Sequence, residues 1–169
     1  MEIIKGPKAF KLLSKVVARV DLTSIFLLKS SLWRSMDALD FERVGLEINT
    51  SGRLFEERDD CILAKATFSL SGAPVVEGEA RERKEVTSIK AEYILMYALT
   101  DNIKLTKEEL KNFCDINPVY NAWPYWREFV HSSVDRMGLP TITMPLLKFR
   151  PTKKEATKEQ REAKALEPC

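Results

Sequence analysis

Residues 121–147 read NAWPYWREFVHSSVDRMGLPTITMPLL, an aromatic helix start that runs into an apolar, proline-punctuated extended segment. Pro124 suits a first helical turn, where its missing N–H would have had no intrahelical partner, and Gly138 followed by Pro140 supplies a stop. Between them Trp126, Phe129, Val130 and Met137 recur mostly at spacings of three, four and seven, while Arg127, Glu128, Asp135 and Arg136 project elsewhere. This predicts an amphipathic helix from 124 to about 137. Its apolar stripe suits either the chain's own sheet or another helix, which the small Ser132 and Ser133 would admit closely.

Beyond Gly138 the apolar residues Leu139, Ile142, Met144, Leu146, Leu147 and Phe149 lose helical spacing, and Pro140 and Pro145 exclude both a helix and a central strand. An extended apolar crossover remains. It has to be covered by the body of the protein, by a subunit or by a bound partner, because large exposed apolar patches are uncommon in soluble monomers.

Upstream, the chain reads as strands. Residues 16–33 are rich in β-branched and aromatic types, with Val20 and Leu22 in one phase and Ile25 and Leu27 in the other, so a bulge is expected near Thr23 or Ser24. Residues 41–49 alternate, Val44, Leu46 and Ile48 against Arg43, Glu47 and Asn49, and the run from Asn49 to Gly52 offers turn chemistry. Residues 61–70 repeat the alternation through Ile62, Ala64, Ala66, Phe68 and Leu70 before a turn at 71–74. Residues 86–99 place Ile89, Ala91, Tyr93, Leu95 and Tyr97 on one face. Four meandering strands predict an antiparallel sheet. Thr106 and Glu109 form a capping box for a short helix to about Phe113, and 118–123 lead into the main helix. Strands first and helices last give an α+β two-layer domain.

The 169 residues, 44% hydrophobic and 31% charged, fit one domain with a normal core. Expected boundaries are an arm or short helix at 1–15, a folded domain at 16–150 and a charged tail at 151–169. Net charge is +2, but residues 148–169 hold seven Lys or Arg against four Glu, which leaves the rest of the chain one charge negative. Interleaved Glu weakens the tail as a nucleic-acid contact. Cys61, Cys114 and Cys169 are too widely spaced for a disulfide framework or a zinc site. With no stretch resembling a signal peptide or a membrane span, the expected location is the cytoplasm.

Catalytic signals are thin. His131 is the single histidine, a Cys114–His131 dyad lacks any oxyanion signature, and neither GxGxxG nor GxxxxGK[ST] occurs. The expectation is a binding protein with no catalytic residue, metal or cofactor.

The four strands followed by PYWREFVHSSVDRMGLPTITMPLLKF resemble the SecB family of export chaperones and its SecB-like relatives. There a Pro-Tyr-x-Arg-Glu helix start leads to a Leu-Pro-x-hydrophobic crossover, matched here by Pro124, Tyr125, Arg127 and Glu128, then Arg136, Gly138, Leu139 and Pro140. The resemblance implies a homotetramer, a dimer of dimers, whose apolar grooves hold unfolded polypeptides without ATP. It further implies a client that is either an unfolded preprotein or a dedicated one, such as an antitoxin of a toxin–antitoxin system. Exporting SecB proteins are acidic and end in a segment that meets the SecA motor. This chain departs from that pattern with a slightly basic balance and a Lys- and Glu-rich tail.

On this reading the client groove is expected from Leu139, Ile142, Met144, Leu146 and Leu147 of the crossover, with Trp33, Val44, Leu46, Leu54 and Phe55 of the first strands. Assembly is expected through Trp126, Phe129, Val130, Ser133 and Met137. Alternatives from other classes are an RNA-binding module using the basic tail and a small-ligand-binding α+β domain.

Overall fold

The alternating residues of 61–70 and 89–97 fall on one sheet face, where Ile62, Ala64, Ala66, Phe68, Leu70, Ile89, Ala91, Tyr93, Leu95 and Tyr97 are all buried. The computed structural model of the chain describes residues 2–5, 7–39, 43–75, 84–100 and 104–151. In chain order these form β1 (Glu2–Lys5), α1 (Pro7–Val17), β2 (Val20–Arg34), a 3₁₀ turn (Met36–Leu39), β3 (Val44–Glu57), β4 (Cys61–Pro74), β5 (Thr87–Leu99), α2 (Lys107–Arg136) and β6 (Lys148–Pro151). The fold is α+β, with a four-stranded antiparallel sheet under a long helix.

The strand order is β2-β5-β4-β3. Only β3, β4 and β5 meander. The expected fourth step fails, because β2 pairs with β5 from Val20↔Leu99 to Arg34↔Thr87. A period-two pattern fixes which face a residue takes and is silent about which strand lies alongside. From Arg34 the chain therefore crosses to the opposite edge, about 14 Å away at ordinary strand spacing.

The bulge expected near Thr23 lies between Leu22 and Ser24, and a second register shift falls between Leu27 and Lys29. β3 does not turn at Asn49–Gly52 but runs on to Glu57, and the chain reverses where the Arg58 N–H donates to the Cys61 carbonyl at 2.9 Å. Gly52 has another task. It sits opposite Ala66 under α2, and an added Cβ would collide with the Cys114 carbonyl.

The two predicted helices are one helix of 30 residues. Its start is the Thr106–Glu109 capping box: the Thr106 hydroxyl accepts from the Glu109 N–H at 3.2 Å, and the Glu109 carboxylate accepts from the Thr106 N–H at 3.0 Å. Pro118 and Pro124 both lie inside the helix. Each removes one intrahelical donor without ending it, because dense packing on the sheet holds both sides. Trp126 stacks on Phe68 with centroids 5.4 Å apart, and Phe113 meets Tyr97 edge-on at 4.9 Å.

Leu139 to Leu147 is extended without regular structure, as the prolines require. It is fastened at two points: Arg34 Nη1 donates to the Met137 carbonyl at 2.6 Å, and Trp123 Nε1 donates to the Pro145 carbonyl at 3.0 Å. The segment thus doubles back along α2. It ends in β6, which pairs in parallel with β1 from Glu2↔Lys148 to Lys5↔Pro151. The tail beyond Pro151, on which the RNA-binding alternative relied, lies outside the described residues.

Candidate functional site

The helix crosses the sheet diagonally. Its first turns lie over Gly52 of β3 and Tyr97, and its end is tied to Arg34 at the far end of β2. A diagonal element leaves two corners of a sheet uncovered by itself. At one corner Leu22 and Leu27, opposite Tyr97 and Tyr93, point to the helix-bearing side yet are 41% and 44% exposed. Leu32, opposite Ile89, continues this row towards Arg34 and is likewise exposed. At the other corner Leu46, opposite Gly72, is exposed and Val44 half-buried. Gly72 leaves room for both, since a Cβ there would lie 2.9 Å from Val44 Cγ1.

β2 is apolar on both sides. Phe26 and Trp33, opposite Ile94 and Ser88, project from the face turned away from α2, and Leu28 sits in the second bulge; all three are exposed. Among the described residues β5 is its only neighbour, so along its other edge the backbone N–H and C=O groups of a 15-residue strand have no partner strand there. A long apolar edge of this kind is a template for another extended chain.

The predicted groove residues do not form one groove. Val44 and Leu54 are ten positions apart on β3, about 30 Å at the usual rise per residue. Trp33 lies on the far face of the opposite edge strand. Phe55 occupies the shift between Leu54 and Glu56, and both apolar residues are exposed. In the crossover, Met144 is only 4% exposed and joins the main core, Leu139, Ile142 and Leu147 are partly buried against it, and Leu146 is exposed. The crossover is thus covered largely by the body of its own chain, the first of the three coverings the sequence allowed.

The predicted assembly stripe lies on the sheet-facing side of α2. Trp126, Val130 and Ser133 are buried beneath α2 against the sheet, and Phe129 and Met137 pack partly against the same core. Trp126, Val130 and Ser133 are therefore committed to the chain's own core, while Phe129 and Met137 keep part of their surface exposed. The residues missed by sequence are Leu22, Phe26, Leu27, Leu28 and Leu32. Their signal was a strand apolar in both phases, but only the strand order reveals that it stands at an edge.

The Cys114–His131 dyad is excluded by geometry. Both sit on α2, seventeen residues apart, about 25 Å at helical rise. Burial pushes the Cys114 thiol up to about 12, the direction opposite to an activated nucleophile. Burial likewise raises Tyr93 to about 12 and raises Tyr97, whose hydroxyl accepts from Asn121 Nδ2 at 3.1 Å. These are structural groups. No helix among the described residues is long and apolar enough to cross a membrane.

The arrangement of sheet, diagonal helix and returning crossover can be compared with known proteins. No protein-family model matches the chain, and no curated protein does. Among solved structures it is similar to the Mycobacterium tuberculosis SecB-like chaperone Rv1957, seen in complex with a ChAD peptide from the Rv1956 HigA1 antitoxin. The TM-score is 0.67 at 16% identity, covering 83% of this chain and 99% of that one. At that identity the likeness defines a fold: this chain has the SecB-like α+β fold. It also has some similarity, at TM-score 0.37 and 14% identity over 75% of this chain and 97% of the other, to a Streptococcus agalactiae protein of unknown function, too little to inform the reading.

Proposed function

We propose that the chain is an ATP-independent chaperone that holds non-native polypeptides, either preproteins for export or a dedicated client such as an antitoxin. The observation that carries this reading is β2, an edge strand whose outer side has no partner strand among the described residues and which has six large apolar side chains each 41–48% exposed. An unfolded client offers the two things such a strand lacks, apolar side chains and unpaired backbone, and neither contact reads sequence. Each well-buried client side chain contributes about 1.5–3 kcal/mol before ordering costs. The SecB-like fold supports the reading, since Rv1957 is a chaperone in complex with an antitoxin peptide.

In this proposal Leu22, Leu27 and Leu32 form the client strip. Leu139 and Ile142 flank it where the Arg34–Met137 bond brings the crossover to the end of β2, and Val44 and Leu46 form a second apolar patch. Assembly is a homotetramer of two dimers in the cytoplasm, with no cofactor and no catalytic step. SecA is a partner in the export branch only.

The test joins two measurements. The purified chain should run as a tetramer in light scattering and should suppress aggregation of an unrelated urea-denatured protein without nucleotide. Leu27→Ser/Leu32→Ser should lower that suppression while leaving the far-ultraviolet spectrum unchanged. A monomer without holding activity overturns the proposal; undiminished holding by the double variant removes β2 as the client strip.

A further inference from the structure

The sheet face turned away from α2 has a different chemistry. Pairing across strands puts Lys29, Glu92, Thr67 and Ser51 in one row and Ser31, Lys90, Ser69 and Asn49 in the next, with Lys65 and Arg53 side by side beyond them. Lys65 is nearly buried, and its Nζ meets Glu92 Oε2 at 2.8 Å. That bond, with the charges of Lys65, Lys29 and Arg53 nearby, holds the Glu92 carboxyl below its ordinary value. Lys65 and Glu92 neutralise each other. Lys29, Arg53 and Lys90 are left as surplus cations on three strands, and none makes a salt bridge to another described residue. A concavity of about 330 Å³ opens beside Lys29 and Lys90, lined also by Ser31, Thr67, Ser69 and Glu92. Two residues along β5 from Lys90, the buried Ser88 hydroxyl has no hydrogen-bond partner among the described residues.

We propose that this face docks an acidic, extended polypeptide segment, separately from the apolar strip on β2. Carboxylates would meet Lys29, Lys90 and Arg53, and the hydroxyls of Ser31, Thr67 and Ser69 would donate to them. Two features favour a peptide over a nucleic acid. Bases need aromatic platforms, whereas the two central strands offer Lys90, Glu92, Thr67 and Ser69 here; Phe26 and Trp33 both stand on the edge strand, about 20 Å apart. A peptide strand also alternates its side chains, so it can set carboxylates over the lysines and a neutral residue over Glu92, while a phosphate backbone carries charge at every step.

The experiment is fluorescence anisotropy of a labelled alternating Glu–Ser peptide with the full chain. Binding should weaken as salt is raised, and K29E/K90E should weaken it about tenfold, in line with the modest, screened energies of exposed ion pairs. K29R/K90R should bind as the parent does, and L27S/L32S should bind it unchanged, which separates this face from the client strip. The basic run at 148–169 is common to all these proteins and cancels. If K29E/K90E loses its far-ultraviolet spectrum, K29Q/K90Q takes its place. Absence of peptide binding, or equal binding by the charge-altered variant, overturns the proposal. So does a single-stranded oligonucleotide that binds more tightly than the peptide and is lost in the same variant, since the face would then belong to nucleic acid.

Discussion

One hydrogen of Gly52 points at the Cys114 carbonyl, at a separation that leaves no space for a Cβ. Cys114 is also the residue four before Pro118, whose ring nitrogen has no hydrogen to give that carbonyl. The two sequence features complement each other: proline releases a carbonyl from the helix ladder, and glycine lets the sheet receive it as a weak C–H contact. Gly52→Ala should destabilise the fold by about 1–3 kcal/mol, the usual range for overpacking. In a Pro118→Ala background the cost should shrink, because the carbonyl can withdraw into a restored helical bond. A urea-denaturation double-mutant cycle checks this, and additivity of the two changes would refute the coupling.

Trp123→Phe keeps the aromatic packing near Phe68 and removes the Nε1 donor to the Pro145 carbonyl. The expected loss is about 1 kcal/mol, the ordinary net value of one hydrogen bond. Amide exchange should quicken at 142–147 while remaining slow in β4 and β5. Uniform quickening would mean that the bond does not fasten the crossover locally.

The alkaline limb of stability should begin at Cys114. Its thiol has an ordinary value of 9.0 and is pushed to about 12 by burial, so the folded chain keeps a proton that the unfolded chain releases. A raised folded value means that stability is intact below about pH 9 and falls as pH rises towards 12. Tyr93, with an ordinary value of 10.0, adds to the fall from about pH 10. Cys114→Ala should start lower, from the small cavity it creates, and show a later and shallower alkaline decline in thermal melts at graded pH.

Phe68 and Phe26 share a sheet and a side chain but differ in surroundings, one fully buried and the other 47% exposed. Phe68→Ala should cost about 3–5 kcal/mol, as in other core truncations. Phe26→Ala should stay within about 0.5 kcal/mol of the parent, as exposed substitutions do. Equal costs in chemical denaturation would show that Phe26 is covered in solution.

What sequence could show follows from what its patterns encode. Alternation in 61–70 and 86–99 placed the core face correctly, and the Thr106–Glu109 box located the start of α2, because both are local. The helix was divided at Pro118 and Pro124 because a local rule treats an interior proline as a break, whereas packing against Phe68 and Tyr97 carries α2 through both. Gly52 reads locally as part of a turn for the same reason; its need for a missing side chain arises from a helix more than fifty residues away. The candidate surface was legible only as composition. Which apolar residues of 20–33 face solvent depends on β2 having one neighbour, and strand order is a non-local property.

The pairing of β2 with β5 also has a consequence in time. During synthesis β2 emerges well before β5, its only partner strand among the described residues: Val20 must wait for Leu99, roughly 4–16 s at 5–20 residues per second. Throughout that interval a 15-residue, largely apolar strand lacks the partner strand it has among the described residues of the folded chain. If β2 is the strip that holds other chains, its own nascent form has the same affinity for neighbours on a polysome. The yield of folded protein should then fall with translation density unless β3, β4 and β5 collapse onto β2 as soon as Leu99 is made.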